Sequence, residues 1–128
     1  MILNTDGMKP IYAQISEWLE REILSGSFSP DEKVPSQYQL ADMFNINPAT
    51  AAKGLNLLAD ENILYKKRGL GMFVSPNGRD LVLKKRKNIK LKNMIMELVI
   101  EAEGLGVSRE ELIRMIKTYE IPKEGEGS

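Results

Sequence analysis

The chain contains neither cysteine nor histidine in its 128 residues. Their absence excludes disulfides, thiolate nucleophiles, imidazole metal ligands and any Ser-His-Asp triad. No apolar run reaches the roughly 18 residues that a membrane span requires, and the start, MILNTDGMKP, lacks the basic and then apolar pattern of a secretory signal. We therefore expect a cytoplasmic protein without a membrane segment, a non-enzymatic role and no cofactor.

The charged residues are segregated along the chain, although the formal net charge is zero. Residues 1–65 carry 4 basic and 9 acidic side chains, residues 66–96 carry 10 and 1, and residues 97–128 carry 4 and 8. A dense cationic stretch between acidic flanks is expected where one face of a protein meets phosphates. A lone lysine run more commonly marks a solvated helix surface, and its position directly after a predicted hairpin favours the phosphate interpretation here.

Three amphipathic segments predict helices in the first half of the chain. The first spans about residues 10–25 and is followed by a loop with two prolines. A capping box, SQYQ, begins a second helix over about 36–45, and an asparagine-proline pair begins a third over about 47–60. The tight connection and the small, polar start of the third helix are typical of a recognition helix. An ordinary helical hairpin has the same spacing, so the helix pair alone leaves both interpretations open.

A basic hairpin is predicted directly after the third helix. Residues 63–65 and 72–74 have the composition of strands, and between them KKRGLG supplies two glycines and three cations. A basic β-wing beside a recognition helix can contact phosphates or enter the minor groove. The turn needs its glycines but not its cations. The segment therefore favours a winged helix-turn-helix over residues 1–76, in a fold that is mainly α with a small β-wing.

In combination, these residues resemble the GntR family of bacterial transcription regulators. The resemblance covers residues 9–75 through PIYAQI, SGSFSPDEKVPS, LADMFNINPATAAKGL and LLADENILYKKRGLGMFV. The asparagine-proline start of the third helix and the short C-terminal region are most similar to the YtrA-like subfamily. The resemblance implies a homodimer that binds an operator, usually as a repressor and often near genes for membrane transporters.

The resemblance also implies which residues face DNA. They come from the second helix, the third helix and the wing, and are Ser36, Gln37, Tyr38, Asn47, Ala49, Thr50, Lys53, Lys67, Arg68 and Gly69. Among them, Thr50 and Lys53 are the residues on which we expect binding to depend most.

The sequence departs from the family pattern in three ways. Tyr38 stands where arginine is common, Asp31-Glu32 stands where Gly-Asp is usual, and Gly54 stands where alanine is common. We expect Tyr38 to shift the phosphate contacts onto other cations, namely Lys53, Lys67 and Arg68. We expect Gly54 to loosen the third helix by roughly 0.5–1 kcal/mol relative to alanine.

The remaining residues predict a two-helix region over 77–122 and a disordered tail over 123–128. One long helix is expected over about 79–103, and a second from a capping box at Ser108 to Tyr119. Two helices of this size are too small for a separate globular domain, so their apolar faces need the first domain or a second copy of the chain. We expect a homodimer, with packing within one chain as the alternative. The apolar dimerisation stripe is Leu91, Ile95, Leu98, Ala102, Leu105, Leu112 and Ile116.

Two other functions compete with DNA binding. An acid-base enzyme would use carboxylates such as Glu97, Glu101 and Glu103, but their place on a charged helix favours simple solvation. A winged-helix protein-interaction module without specific DNA binding is the main alternative, although it gives no reason to concentrate cations in the wing. A small-molecule effector at the dimer junction is compatible with the sequence, which identifies neither a ligand nor an operator.

Overall fold

The computed structural model of the chain describes residue 3 and residues 9–122. The structure is mainly helical with one two-stranded antiparallel sheet, which confirms the predicted fold class. The predicted tail at 123–128 lies outside the described residues. The elements in chain order are α1 (Ile11–Ser25), α2 (Gln37–Phe44), α3 (Pro48–Asp60), β1 (Leu64–Lys67), β2 (Gly71–Val74), α4 (Gly78–Lys85), a π-helical segment (Arg86–Leu91), α5 (Lys92–Gly104) and α6 (Arg109–Thr118).

The chain forms two compact units, residues 1–86 and residues 87–128. The first unit extends beyond residue 76, where the sequence predicted the boundary, because α4 packs against α1. Val82 of α4 is fully buried in the core of this unit. The start of α4 lies close to the backbone of Ile63, just before β1. This close approach requires a glycine at position 78, since a Cβ there would lie 2.9 Å from the carbonyl oxygen of Ile63.

One hydrophobic core holds the first unit together. Apolar side chains from α1, α2 and α3 meet in it, and the edge of the sheet and α4 close it. Trp18 packs edge-on to the rings of Phe44 and Phe28, with centroid distances of 5.2 and 6.1 Å. The largest fully buried side chains are Ile15, Leu19, Ile23, Leu40, Leu58, Ile63, Leu64, Val34, Val74 and Val82. This core fixes the orientation of α3 relative to the wing.

Gly54 lies where α3 crosses α1. A Cβ at this position would lie 2.9 Å from the carbonyl oxygen of Tyr12 and 3.0 Å from Cγ2 of Ile15. The buried hydroxyl of Ser16 donates a hydrogen bond of 2.7 Å to the Gly54 carbonyl oxygen. Gly54 therefore has two effects. Its low helix propensity is expected to loosen α3, but its missing side chain allows α3 to cross α1 this closely.

The segment predicted as one long helix over 79–103 is helical throughout but not uniform. A π-helical segment, Arg86–Leu91, separates α4 from α5. Hydrogen bonds in a π-helix run from residue i to i+5, so each turn holds more residues than a turn of α-helix. α5 ends at Gly104, and Gly106 adopts a left-handed φ of 73°. The N–H of Val107 then donates to the carbonyl oxygen of Ala102 at 2.9 Å.

The last helix, α6, begins where the sequence predicted. The hydroxyl of Ser108 accepts a hydrogen bond of 3.2 Å from the amide of Glu111, which is the N-cap contact of the predicted capping box. Leu112 is buried.

In the described part of the chain, no helix is both long enough and apolar enough to cross a membrane.

Candidate nucleic-acid interface

Two side-chain caps set the start of α2 and of α3. The hydroxyl of Ser36 accepts from the Gln39 amide at 3.1 Å, while the Gln39 side chain accepts from the Ser36 amide at 2.8 Å, so the predicted capping box is confirmed. The side-chain oxygen of Asn47 accepts from the Ala49 amide at 2.7 Å. Between the helices Asn45 adopts a left-handed φ of 55°, which asparagine tolerates better than most residues. In these caps the side-chain oxygens of Ser36 and Asn47 act as acceptors. The hydroxyl proton of Ser36 and the side-chain N–H groups of Asn47 are the donors that could bind a phosphate oxygen.

The third helix has one face in the core and one face in solvent. The buried face consists of Ala51, Gly54, Leu55 and Leu58. On the other face Ala49, Lys53 and Asn56 are exposed, and Thr50 is half-buried. Three predicted site residues, Ala49, Thr50 and Lys53, therefore lie together near the start of α3. Asn56, which the sequence analysis did not select, continues the exposed face by one helical turn.

The wing is an antiparallel hairpin in which β1 is longer than predicted. Its register pairs Tyr65 with Phe73, Lys66 with Met72, and Lys67 with Gly71. Lys66 and Lys67 therefore belong to the strand rather than to the turn, and they point to opposite faces of the sheet. Lys66 and Lys67, predicted to lie together in the turn, are therefore on different faces of the wing.

The turn of the wing comprises residues 68–70. Arg68 and Gly69 are exposed in it, and Gly69 has a left-handed φ of 78°. The Leu70 amide donates to the Lys67 carbonyl oxygen at 2.9 Å and closes the turn. The Nζ of Lys67 lies 4.6 Å from the centroid of the Phe73 ring. The predicted wing residues are thus presented at the tip and on the outer face of the hairpin.

The loop before α2 pairs with the wing as a third, irregular strand. The amide of Asp31 donates to the Val74 carbonyl oxygen at 2.7 Å, and the amide of Val74 donates to the Glu32 carbonyl oxygen at 2.9 Å. The amide of Val34 donates to the Met72 carbonyl oxygen at 3.0 Å. These long-range hydrogen bonds hold the wing at a defined distance from α2.

A tyrosine on the outer face of the wing strengthens this connection. The ring of Tyr65 stacks on Phe73 at a centroid distance of 5.8 Å, and its hydroxyl donates to the Asp31 carboxylate at 2.6 Å. The hydrogen bond to Asp31 raises the pKa of the Tyr65 hydroxyl above its usual value of 10.0, because loss of the proton would break the bond and place two negative charges together. Asp31 has a left-handed φ of 64°, so it supplies the turn conformation that the usual glycine would provide.

Two concavities flank α3, and five of the ten predicted site residues line them: Ser36, Gln37, Tyr38, Ala49 and Lys53. One, of about 270 Å³, lies between α2, α3 and the wing, and the other, of about 530 Å³, lies between the start of α1 and the outer face of α3. The first is lined in part by Ser36, Gln37, Tyr38, Lys33, Asn56 and Lys66. The second is lined in part by Gln37, Ala49, Lys53, Tyr12, Asn56 and Asp60.

Several residues outside the predicted site also line these concavities, among them Tyr12, Lys33, Asn56 and Lys66. The alternation of β1 would have revealed Lys66 if the strand had been extended by two residues. Helical spacing from Lys53 would have revealed Asn56. No local pattern connects Tyr12 or Lys33 with α3, because tertiary packing brings them there.

Two cations of the basic stretch are paired with buried or half-buried carboxylates. Lys85 Nζ lies 2.7 Å from a carboxylate oxygen of Glu20 and 2.8 Å from one of Glu61, and Arg86 binds the other Glu20 oxygen at 3.1 Å. Glu20 is 3% exposed. Burial lowers the pKa of Lys85, but its hydrogen bonds and charge contacts with Glu20 and Glu61 outweigh burial and raise that pKa above 10.5. Lys85 and Arg86 therefore anchor α4 to α1 and α3, and the charge count along the chain overstates the cations available for phosphates.

In the second unit, the predicted dimerisation stripe is divided between exposed and buried positions. Two members, Ala102 and Leu112, are each 7% exposed and are covered within the chain. The other five have 43–70% of their surface exposed, and they are Leu91, Ile95, Leu98, Leu105 and Ile116. These five side chains form an apolar surface that no other part of the described chain covers.

A capped helix pair followed by a basic two-stranded wing defines a winged helix-turn-helix, a class of DNA-binding protein. The profile described as "Bacterial regulatory proteins, gntR family" matches residues 11–74. The chain is also 31% identical to the HTH-type transcriptional repressor YtrA of Bacillus subtilis (strain 168), over 91% of this chain and 88% of that protein. The chain therefore belongs to the GntR family, and the predicted similarity to its YtrA-like members is confirmed.

Solved structures show the same relationship. A GntR family transcriptional regulator from Listeria monocytogenes is 29% identical, with a TM-score of 0.71 over 90% of this chain and 99% of that chain. The structure of AraR(DBD) in complex with operator ORX1 is 30% identical, with a TM-score of 0.56 over 59% of this chain and 95% of that chain. The matched family consists of transcription regulators rather than enzymes.

Proposed function

We propose that the protein is a sequence-specific repressor that acts in the cytoplasm as a homodimer on a palindromic operator. The observation that carries this proposal is the outer face at the start of α3, where the exposed Ala49 and Lys53 lie beside the half-buried Thr50, next to a wing whose turn presents Arg68. Small and polar side chains on a recognition helix reach base edges, while cations bind the backbone phosphates. The operator complex of AraR(DBD), a relative of the first unit, supports the same mode of binding.

Individual roles follow from the chemistry of each side chain. Thr50 is proposed to contact base edges, because its hydroxyl donates and accepts hydrogen bonds while its methyl group suits thymine. Lys53, Lys67 and Arg68 are proposed to bind phosphates. Gly69 lets the backbone approach the duplex closely. Ser36, Gln37, Tyr38 and Asn47 position the protein on the phosphate backbone through hydrogen bonds. The amide of Ala49 is already bound to the Asn47 side chain, so Ala49 contributes only its methyl group, through apolar contact with a base edge.

The homodimer is proposed from the uncovered apolar surface of the second unit. Five large apolar side chains of the predicted stripe are exposed there, and a second copy of the chain would cover them. A twofold dimer places two recognition helices on successive turns of DNA, which matches a palindromic site. We extend the proposal to control of its own operon or of a transporter operon, with a small-molecule effector at the dimer junction.

Selection of bound duplexes from a random pool tests the DNA proposal. We expect an enriched palindrome, and a binding constant that falls steeply with salt because bound cations release counterions from the duplex. Arg68→Glu should weaken binding to all duplexes and lower the salt slope by more than roughly one unit, since it removes a cation and adds an anion. Arg109→Glu, in the first turn of α6, is the matched control and should leave binding unchanged. A pool without enrichment, together with no salt slope, would favour a protein-interaction module instead.

Light scattering tests the dimer. We expect a mass of about twice the 14.4 kDa of the chain. Leu98→Glu should reduce this mass, because it places a charge in the exposed apolar stripe. Leu70→Glu is the matched control, since Leu70 is also exposed but lies in the turn of the wing. A wild-type monomer at every concentration would reject the proposed interface.

A further inference from the structure

We infer that Tyr12 is a positioning residue of the DNA site, whose ring holds the ammonium group of Lys53 on the outer face of α3. Tyr12 lies in the first turn of α1, about forty residues earlier in the chain. Its effect on binding rests on the proposed function of the α3 surface. The contact itself belongs to the first unit and exists without DNA.

The geometry is that of a cation over an aromatic face. The Nζ of Lys53 lies 4.1 Å from the centroid of the Tyr12 ring. The negative face of the ring attracts the ammonium group, an attraction that persists at exposed positions. A lysine without such a contact samples many rotamers and loses that freedom when it binds a phosphate. The ring therefore lowers the entropic cost of bringing Lys53 to DNA.

The helix crossing fixes the ring beneath the lysine. Gly54 follows Lys53 directly, and a Cβ on Gly54 would lie 2.9 Å from the carbonyl oxygen of Tyr12. The Ser16 hydroxyl, one turn further along α1, binds the Gly54 carbonyl oxygen at 2.7 Å. The backbone beside Lys53 thus touches the backbone that carries the ring. The packing of α1 against α3 therefore fixes the position of Tyr12 relative to Lys53.

The held ammonium group can still bind a phosphate. An ammonium group has three N–H donors, and the ring occupies only one side of it. Tyr12 and Lys53 both line the concavity of about 530 Å³ on the outer face of α3. Asp60 lines it too, but among the described residues no ion pair joins Asp60 to Lys53. The ring, rather than a carboxylate, therefore holds the lysine, and the positive charge is not neutralised.

Binding to the duplex selected by the wild-type protein tests the functional part. Tyr12→Leu should weaken binding roughly two- to fivefold, whereas Tyr12→Phe and Tyr12→Trp, which keep a ring, should stay close to wild type. In a Lys53→Met background, Tyr12→Leu should cause no further loss, because the two residues act as one unit. Losses that simply add would overturn the inference. Tyr119→Leu, at an exposed tyrosine of the second unit, is the matched control.

Nuclear magnetic resonance of the DNA-free protein tests the contact separately. The ring of Phe73 should shift the protons of Lys67 upfield. The ring current of Tyr12 should likewise move the ε-methylene protons of Lys53 upfield of those of the lysines that lie over no ring. The shift should vanish in Tyr12→Leu and persist in Tyr12→Phe, with thermal denaturation showing that both variants are folded. A wild-type Lys53 without an upfield shift would overturn the inference even if the protein binds DNA. A shifted Lys53 in a protein that binds no duplex would instead refute the proposed function and leave the contact standing.

Discussion

Replacement of Gly54 by alanine sets two opposing effects against each other. Helix propensity favours alanine over glycine inside a helix by about 1 kcal/mol. The new Cβ, however, would lie 2.9 Å from the Tyr12 carbonyl oxygen, 3.0 Å from Cγ2 of Ile15 and 3.1 Å from its Cβ. A backbone oxygen cannot rotate away as a flexible side chain can, so α1 and α3 must separate. Overpacking of this kind costs about 1–3 kcal/mol.

The separation of the helices also affects a buried hydrogen bond. The bond of 2.7 Å from Ser16 to the Gly54 carbonyl oxygen would lengthen, and a buried polar group left without its partner costs about 1–3 kcal/mol. Because the bond would be weakened rather than lost, we count only part of this cost. The steric and polar costs together exceed the gain in helix propensity. We expect Gly54→Ala to lower the free energy of unfolding of the first unit by about 1–2 kcal/mol.

Urea denaturation followed by tryptophan fluorescence measures this change. Trp18 is the single tryptophan of the chain and packs between Phe28 and Phe44 in the core of the first unit, so its emission reports on that unit. Asn56→Ala is the matched control, because it gains helix propensity at an exposed position of the same helix. We expect the control to be neutral or slightly stabilising. If Gly54→Ala stabilised the first unit as much as the control, α1 and α3 would not cross as closely as the structure shows, and packing would not be what requires glycine at this position.

Three further predictions concern the recognition helix, the ion-pair cluster and the wing. Thr50→Val should change base preference at particular positions of the selected duplex without changing the salt slope, and an unchanged preference would contradict a base contact. Lys85→Met should lower the free energy of unfolding by about 1–3 kcal/mol, because the Glu20 side chain, 4% exposed, loses one of its two cations; an unchanged urea midpoint would argue against this role. The raised pKa of Tyr65 means that the stability from its bond to Asp31 is present below about pH 10 and is lost as the pH rises through the raised pKa. Tyr65→Phe should therefore be less stable than wild type near neutral pH, with a difference that shrinks at alkaline pH, and a difference independent of pH would contradict this assignment.

The starts of α2 and α3 could be predicted from the sequence because their determinants are local. The capping box at Ser36 and the cap at Asn47 are hydrogen bonds between residues two or three positions apart. The glycines of the wing act in the same local way, through the backbone conformations that the turn requires. These short-range rules, with the family resemblance, were enough to predict a winged helix-turn-helix of the GntR family.

Only the tertiary structure decided which side chains the fold brings together. Lys85 and Arg86 count as part of a basic stretch in the sequence, but they bind Glu20, from which Lys85 is 65 residues away. Lys53 meets Tyr12, and Gly54 sets the distance between their helices. Periodicity shows which face of a helix is buried, but it contains no information about which other helix lies against that face or how closely. For this reason the sequence determined the class of protein and the helix that we propose reads DNA, while packing decided which cations remain available and how one of them is held.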